Sequence, residues 1–143
     1  MPGKSNTFEN DILKLIFNGT AIANLADNAA TSPLTNLYVS LHTEDPGEAG
    51  TQTTNEANYT GYARVAVART TDGWKVTDNV AKPVSAITFP ACTGGSSTIT
   101  HFAIGTAASG AGKVLYSGAV SPIITVTNGI TPQLTTNTSV TED

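Results

Sequence analysis

Two short alternations of apolar and polar residues, separated by a long polar span, constrain this chain more than any other feature. Leu37, Val39 and Leu41 alternate with Tyr38, Ser40 and His42, and Val65 and Val67 alternate with Arg64, Ala66 and Ala68. A period of two is the mark of a strand with one buried face. Between the two strands, residues 43–58 are rich in Thr, Asn, Glu and Gly. Connections longer than roughly 12–15 residues inside a compact domain are usually functional or disordered. The span is therefore expected to keep little order alone and to be ordered by a partner surface. Deleting residues 51–55 is expected to leave the isolated protein folded. Asp45-Pro46-Gly47 stiffens its start, since Pro fixes one φ and Gly permits the reversal.

Ahead of this pair lies one helix. Asn6 followed by Glu9 reads as a capping box, with Glu9 and Asp11 in the first turns where the helix dipole favours acids. Phe8, Ile12, Leu15 and Ile16 recur at spacings of three and four, and Asn18-Gly19 is a stop. The helix is expected to dock through Phe8 and Ile12, on the rest of the fold or on a neighbouring subunit. Residues 20–28 read as a second short helix or as a covering segment, ended by Ser32-Pro33.

Downstream the pattern is β throughout. Strands are expected over 37–42, 62–69, 74–77, 84–89, 99–104, 113–119, 123–127 and 133–140, separated by Gly, Pro, Asn and Asp turn signals. Asn128-Gly129 is the strongest local hairpin signal. Eight short strands at spacings near ten residues give a mainly β fold, a jelly-roll-like sandwich with one N-terminal helix. Closed sandwich and partly open barrel both fit this pattern. The expected organisation is a helix and covering segment over 1–36 and the sandwich over 37–143, one globular domain overall, which suits 143 residues.

Composition narrows the function. Charged residues make up only 13% of the chain, and its net charge is −4. Its seven Lys and Arg are scattered, whereas nucleic-acid binding needs clustered cations. The single Cys92 excludes an intrachain disulfide and reads as a buried structural thiol. The N-terminal apolar run is broken by Glu9, Asp11 and Lys14, so neither a signal peptide nor a membrane span is expected, and synthesis in the host cytoplasm is.

No motif carries catalysis, a metal or a cofactor. Ala107–Val114 (AASGAGKV) imitates a phosphate-binding loop, but Val114 replaces the hydroxyl that would hold magnesium, and the flanks read strand–turn–strand. It is expected to be a flexible hairpin loop. His42 and His101 lack a second His or Cys at ligand spacing. A Ser-His-Asp set is open on residue count, though no Gly-x-Ser-x-Gly elbow occurs. Glu44, Asp45, Glu48 and Glu56 all fall in the polar span and read as solvated charge. Tyr59 and Tyr62 at its exit read either as apolar anchors for a partner or as packing on the sheet.

The wording LYVSLHT-x-DPGE-x-G-x-Q, TNE and YTGYARV over 37–67, with FAIGTA, GKVLYSGA and GITPQ further on, resembles a family of small tailed-bacteriophage virion proteins. Relatives are labelled tail-fibre or structural proteins, and some look like capsid cement. The resemblance implies a virion structural component without enzymatic activity. On its leading form the chain is a decoration protein on the capsid exterior, a homo-oligomer, as a dimer, bound outside the major capsid protein lattice. The alternative is a tail or tail-fibre-associated structural module. In either case the expected contact residues are Phe8, Ile12, Glu44, Asp45, Glu48, Glu56, Tyr59 and Tyr62, with the four acids seeking Arg or Lys on the partner.

Overall fold

The computed structural model describes residues 4–22, 26 and 33–143. Among them lie one helix and nine strands, all pairings antiparallel, a mainly β fold consistent with a β-sandwich. The chain forms two compact units. The first gathers Met1–Asn36, Val67–Ala86 and Leu134–Asp143; the second gathers Leu37–Ala66 and Ile87–Gln133.

In the first unit the helix α1 (Asn6–Asn18) is capped by the Ser5 hydroxyl, which accepts from the Phe8 N–H, so the N-cap lies one residue before Asn6. Gly19, at φ 65°, turns the chain left-handed and ends the helix. Its buried stripe is Glu9, Leu13 and Phe17, spaced by four. That face is rotated from the one expected: Ile12 is half-buried and Phe8 remains 37% exposed. Phe17 meets Trp74 edge-on at 4.7 Å between ring centroids. No basic residue occupies the last helical turn, and Arg69 supplies the missing cation from elsewhere in the chain. Its guanidinium donates to the Ile16 and Leu15 carbonyls at 2.7 and 2.5 Å, where the helix dipole favours positive charge. The expected helix or covering segment over 20–28 lies largely outside the described residues.

Trp74 begins the hairpin of β3 (Trp74–Thr77) and β4 (Val80–Pro83), reversed through Asp78-Asn79 with Asp78 at φ 52°. The C-terminal β9 (Val140–Thr141) adds beside β4. The strand at 80–83 was not foreseen; its Pro83 lies beyond the pairing with β9 and is flanked by β3 alone, an edge position where a missing donor is tolerated. The strand expected over 84–89 shrinks to β5 (Ile87–Thr88), and Val84 is exposed.

The second unit is built around β1 (Asn36–His42), β6 (Ser97–Gly105) and β7 (Val114–Val126), in a sheet of order β2-β1-β6-β7 with β2 spanning Val65–Ala68. Leu37, Val39, Leu41, Ile99 and Ile104 form its core with Phe89 and Val126. The two strands expected over 113–119 and 123–127 run on as β7, but their pairing with β6 breaks between Ala119 and Ile124. The Asn128-Gly129 turn does not close a hairpin. β7 pairs with β6, whereas β8 (Gln133–Leu134) pairs with β5, so Gly129 (φ 88°) redirects the chain instead.

Candidate contact site at the 43–58 loop

In β1 the polar alternates Ser40 and His42 are as buried as the apolar ones. What covers them is the loop itself, which folds back over its own strand. Its base is zipped by the Thr43 N–H to Asn55 carbonyl and Ala57 N–H to Leu41 carbonyl bonds, each 2.8 Å. The His42 ring is clamped between Ser40 Oγ and the Thr54 carbonyl, both at 2.8 Å. Nδ1 must donate to that carbonyl, so in the neutral ring Nε2 accepts from the Ser40 hydroxyl. Burial lowers the His42 pKa below its usual value and favours this neutral form. Ser40 and His42 have the spacing of a nucleophile and its base. Both are sealed from solvent, however, and the third partner is a backbone carbonyl.

Gln52 is the loop's central pin. Its fully buried side chain donates to the Tyr38 carbonyl at 3.0 Å and accepts from the Ala107 N–H at 3.1 Å, while its own N–H bonds the Gly112 carbonyl at 2.9 Å. A Cβ at Gly105 or at Gly112 would come within 2.2 Å of the Gln52 amide, so these two glycines leave the space that it fills. The 107–114 segment joins β6 to β7, as the strand–turn–strand flanks imply. It is held by Gln52 and Arg64 rather than left flexible.

Glu56 closes the assembly. It accepts from Arg64 through two bonds of 2.7 and 2.8 Å, and from the Tyr62 hydroxyl at 2.9 Å. Arg64 also donates to the Ala107 and Gly110 carbonyls at 2.9 and 2.7 Å, and the Tyr62 hydroxyl accepts from the Leu41 N–H at 3.1 Å. One carboxylate therefore links the loop, the 62–64 segment and the β6–β7 connection. The hydrogen bonds to Glu56 strengthen the hold of the Arg64 guanidinium on its proton, and burial raises the Tyr62 pKa. Tyr59 packs edge-on against Tyr62, donates to the Pro90 carbonyl at 2.8 Å, and has its pKa pushed up to about 12 by burial.

One expectation about this region is thus corrected. The loop's ordering is met from within: buried amides, a buried ring and an ion pair replace the partner surface invoked for it. Residues 51–55, whose deletion is expected to leave the protein folded, contain Gln52, Thr54 and Asn55, which make several of these bonds. Of the expected contact residues, Glu56, Tyr59 and Tyr62 face inward and are engaged there; Tyr59 is 2% exposed. Phe8 and Ile12 belong to α1 in the first unit. Glu44, Asp45 and Glu48 are exposed on the loop, and none has a cation within 4.0 Å among the described residues. Asp45 Oδ1 accepts from the Gly47 N–H at 2.9 Å, fixing the turn. Asp45, Gly47 and Glu48 line one wall of a groove of about 390 Å³; Val114, Leu115, Tyr116 and Ser117 at the start of β7 line the other. Sequence reasoning missed Gln52 and Arg64. The only signal for either was their place in the quoted Q-x-TNE and YTGYARV wording.

Among the described residues no group of three His, Cys, Asp or Glu side chains is arranged to hold a metal ion, and no helix is long and apolar enough to cross a membrane. The model of one family, described as podophage GP4 fiber I protein gp80, matches residues 3–141. The chain belongs to that family. It is a family of phage virion structural proteins, as the sequence resemblance implied. No curated protein matches the chain.

Proposed function

We propose that the chain is a non-enzymatic, fibre-associated structural subunit of a phage particle. It attaches through the acidic rim Glu44, Asp45 and Glu48 to a cationic surface of another virion chain. The observation carrying this reading is the division of labour within the 43–58 loop. Glu56 is neutralised by Arg64, whereas the three rim acids stand on the same internally pinned loop with no cation of their own. A rigid platform loses little entropy on binding, so modest contacts suffice, and repetition over a particle adds avidity. Ser40, His42 and Cys92 are all buried and offer nothing to a substrate.

The fibre description of the family supports the tail assignment over capsid cement, which led on the sequence alone. The cement alternative places the same rim against the major capsid protein on the capsid exterior. Quantitative mass spectrometry of isolated heads and isolated tails separates the two. The chain is expected in the tail fraction, with incorporation falling when Glu44, Asp45 and Glu48 are all changed to Lys. Recovery with heads would establish cement instead, and unchanged incorporation of the triple variant would remove the rim from the interface.

A further inference from the structure

Three of the seven cations of this chain have charged or carbonyl partners among the described residues. Arg64 is bound by Glu56, Arg69 by helix carbonyls, and Lys4 by Glu142 at 3.1 Å. The β3–β4 hairpin is different. Its register sets Lys75 directly opposite Lys82, both exposed. Directly opposed residues in an antiparallel pair have Cβ atoms about 4.5–5.5 Å apart, and like charges there repel. Neither ammonium has a carboxylate within 4.0 Å among the described residues. The two lysines line a shallow groove of about 370 Å³ with Thr77, Asp78, Asn79 and Val80. Asp78, at the turn, is the single acid of that lining, so the hairpin keeps a net positive face.

Among the described residues the β3–β4 hairpin thus presents two adjacent cations without an ion pair, and the 43–58 loop presents three acids without one. We propose that these are the two halves of one interface: the Lys75–Lys82 face of one copy docks on the Glu44–Asp45–Glu48 rim of the next. The proposal rests on the reading of the rim as a contact surface and names its occupant as a second copy. The two surfaces are opposite in charge, and carboxylates set against the opposed lysines offset the repulsion between them. Lys113, which precedes β7 and bridges to Thr51, forms no ion pair with the rim acids and leaves their charge in place. Because the two surfaces differ, the association is head-to-tail. Such contacts build rings when the rotation closes and filaments when it does not, in contrast to the two-fold dimer expected from sequence. Exposed ion pairs are individually weak, so the contact is salt-sensitive in solution and gains strength from repetition in a particle.

The test uses the chain of 143 residues and two charge-reversed variants, K75E with K82E, and E44K with D45K and E48K. All three are first shown to be folded by circular dichroism, then followed by sedimentation velocity from low salt to about 0.5 M, where screening shortens to a few ångströms. The parent chain is expected to associate with rising concentration, at least about tenfold more weakly at high salt. Each variant alone is expected to stay monomeric, and an equimolar mixture of the two to associate again, since opposite faces then meet. A parent chain monomeric at every salt, variants that associate as the parent does, or a mixture that fails to recover association would overturn the proposal. Should the chain stay monomeric while its incorporation into particles still depends on the rim acids, the contact surface stands and its occupant is another virion protein.

Discussion

Removing the Glu56 carboxylate tests the internal logic of the loop. The Arg64 side chain is only 3% exposed, and in Glu56→Ala its guanidinium would keep two carbonyl acceptors but lose its counter-charge. Breaking a buried ion pair by deleting one partner costs about 3–5 kcal/mol. Glu56 is itself 15% exposed, so water reaches the vacated site, and the low end, about 3 kcal/mol, is the appropriate figure. The Tyr62 hydroxyl loses its acceptor in the same step, adding about 1 kcal/mol. For a chain of this length about 4 kcal/mol corresponds to a fall in Tm of roughly 15 °C. Urea unfolding followed by far-ultraviolet circular dichroism measures the loss, and hydrogen exchange at the Leu41 amide, which donates to Tyr62, localises it. Replacing both Glu56 and Arg64 by Met is expected to recover most of the stability, because no uncompensated charge is then buried. A loss below about 1 kcal/mol for Glu56→Ala, or a double variant worse than the sum of the singles, would refute the clamp as the element that orders the loop.

Other outcomes follow from the same packing. Gly105→Ala places a methyl 2.2 Å from the Gln52 amide carbon and is expected to cost about 1–3 kcal/mol, partly relieved by adding Gln52→Ala; chemical denaturation of both variants checks it. In α1, Phe17→Ala, which empties the contact with Trp74, is expected to cost about 3–5 kcal/mol by Trp fluorescence, whereas Phe8→Ala costs under about 1 kcal/mol. His42 has a folded pKa below its unfolded value of 6.5, so the unfolded chain binds the proton first and stability falls as pH drops below that value. Between pH 7.5 and 5.5 this one group is expected to remove up to about 1.4 kcal/mol, the loss absent in His42→Gln; equal pH dependence in both proteins would count against it.

Local physics made much of this protein legible in its sequence. The helix Asn6–Asn18 was readable because a cap, a spacing of three and four, and Gly19 all act within a few residues. The strands at 37–42 and 74–77 were readable because alternation and turn residues are equally local. The family was readable too, from wording such as YTGYARV, although what that wording does was not. Tyr62 and Arg64 meet Glu56 across the unit's interior, and no periodicity encodes that meeting. The same limit explains why Phe8 and Ile12 were chosen over Leu13 and Phe17: a helix carries apolar residues on more than one face, and only docking selects the buried one. It also explains why the 43–58 loop was expected to be loose. A polar span is costly to bury unless its hydrogen bonds are met, and the groups that meet them arrive from elsewhere: Tyr38 from β1, Ala107 and Gly112 from the β6–β7 connection. Sequence determined the helix and the strands with strong local alternation; tertiary structure decided the short strands, which polar residues became interior and which three loop acids were left facing out, because satisfying a buried polar group depends on partners distant in the chain.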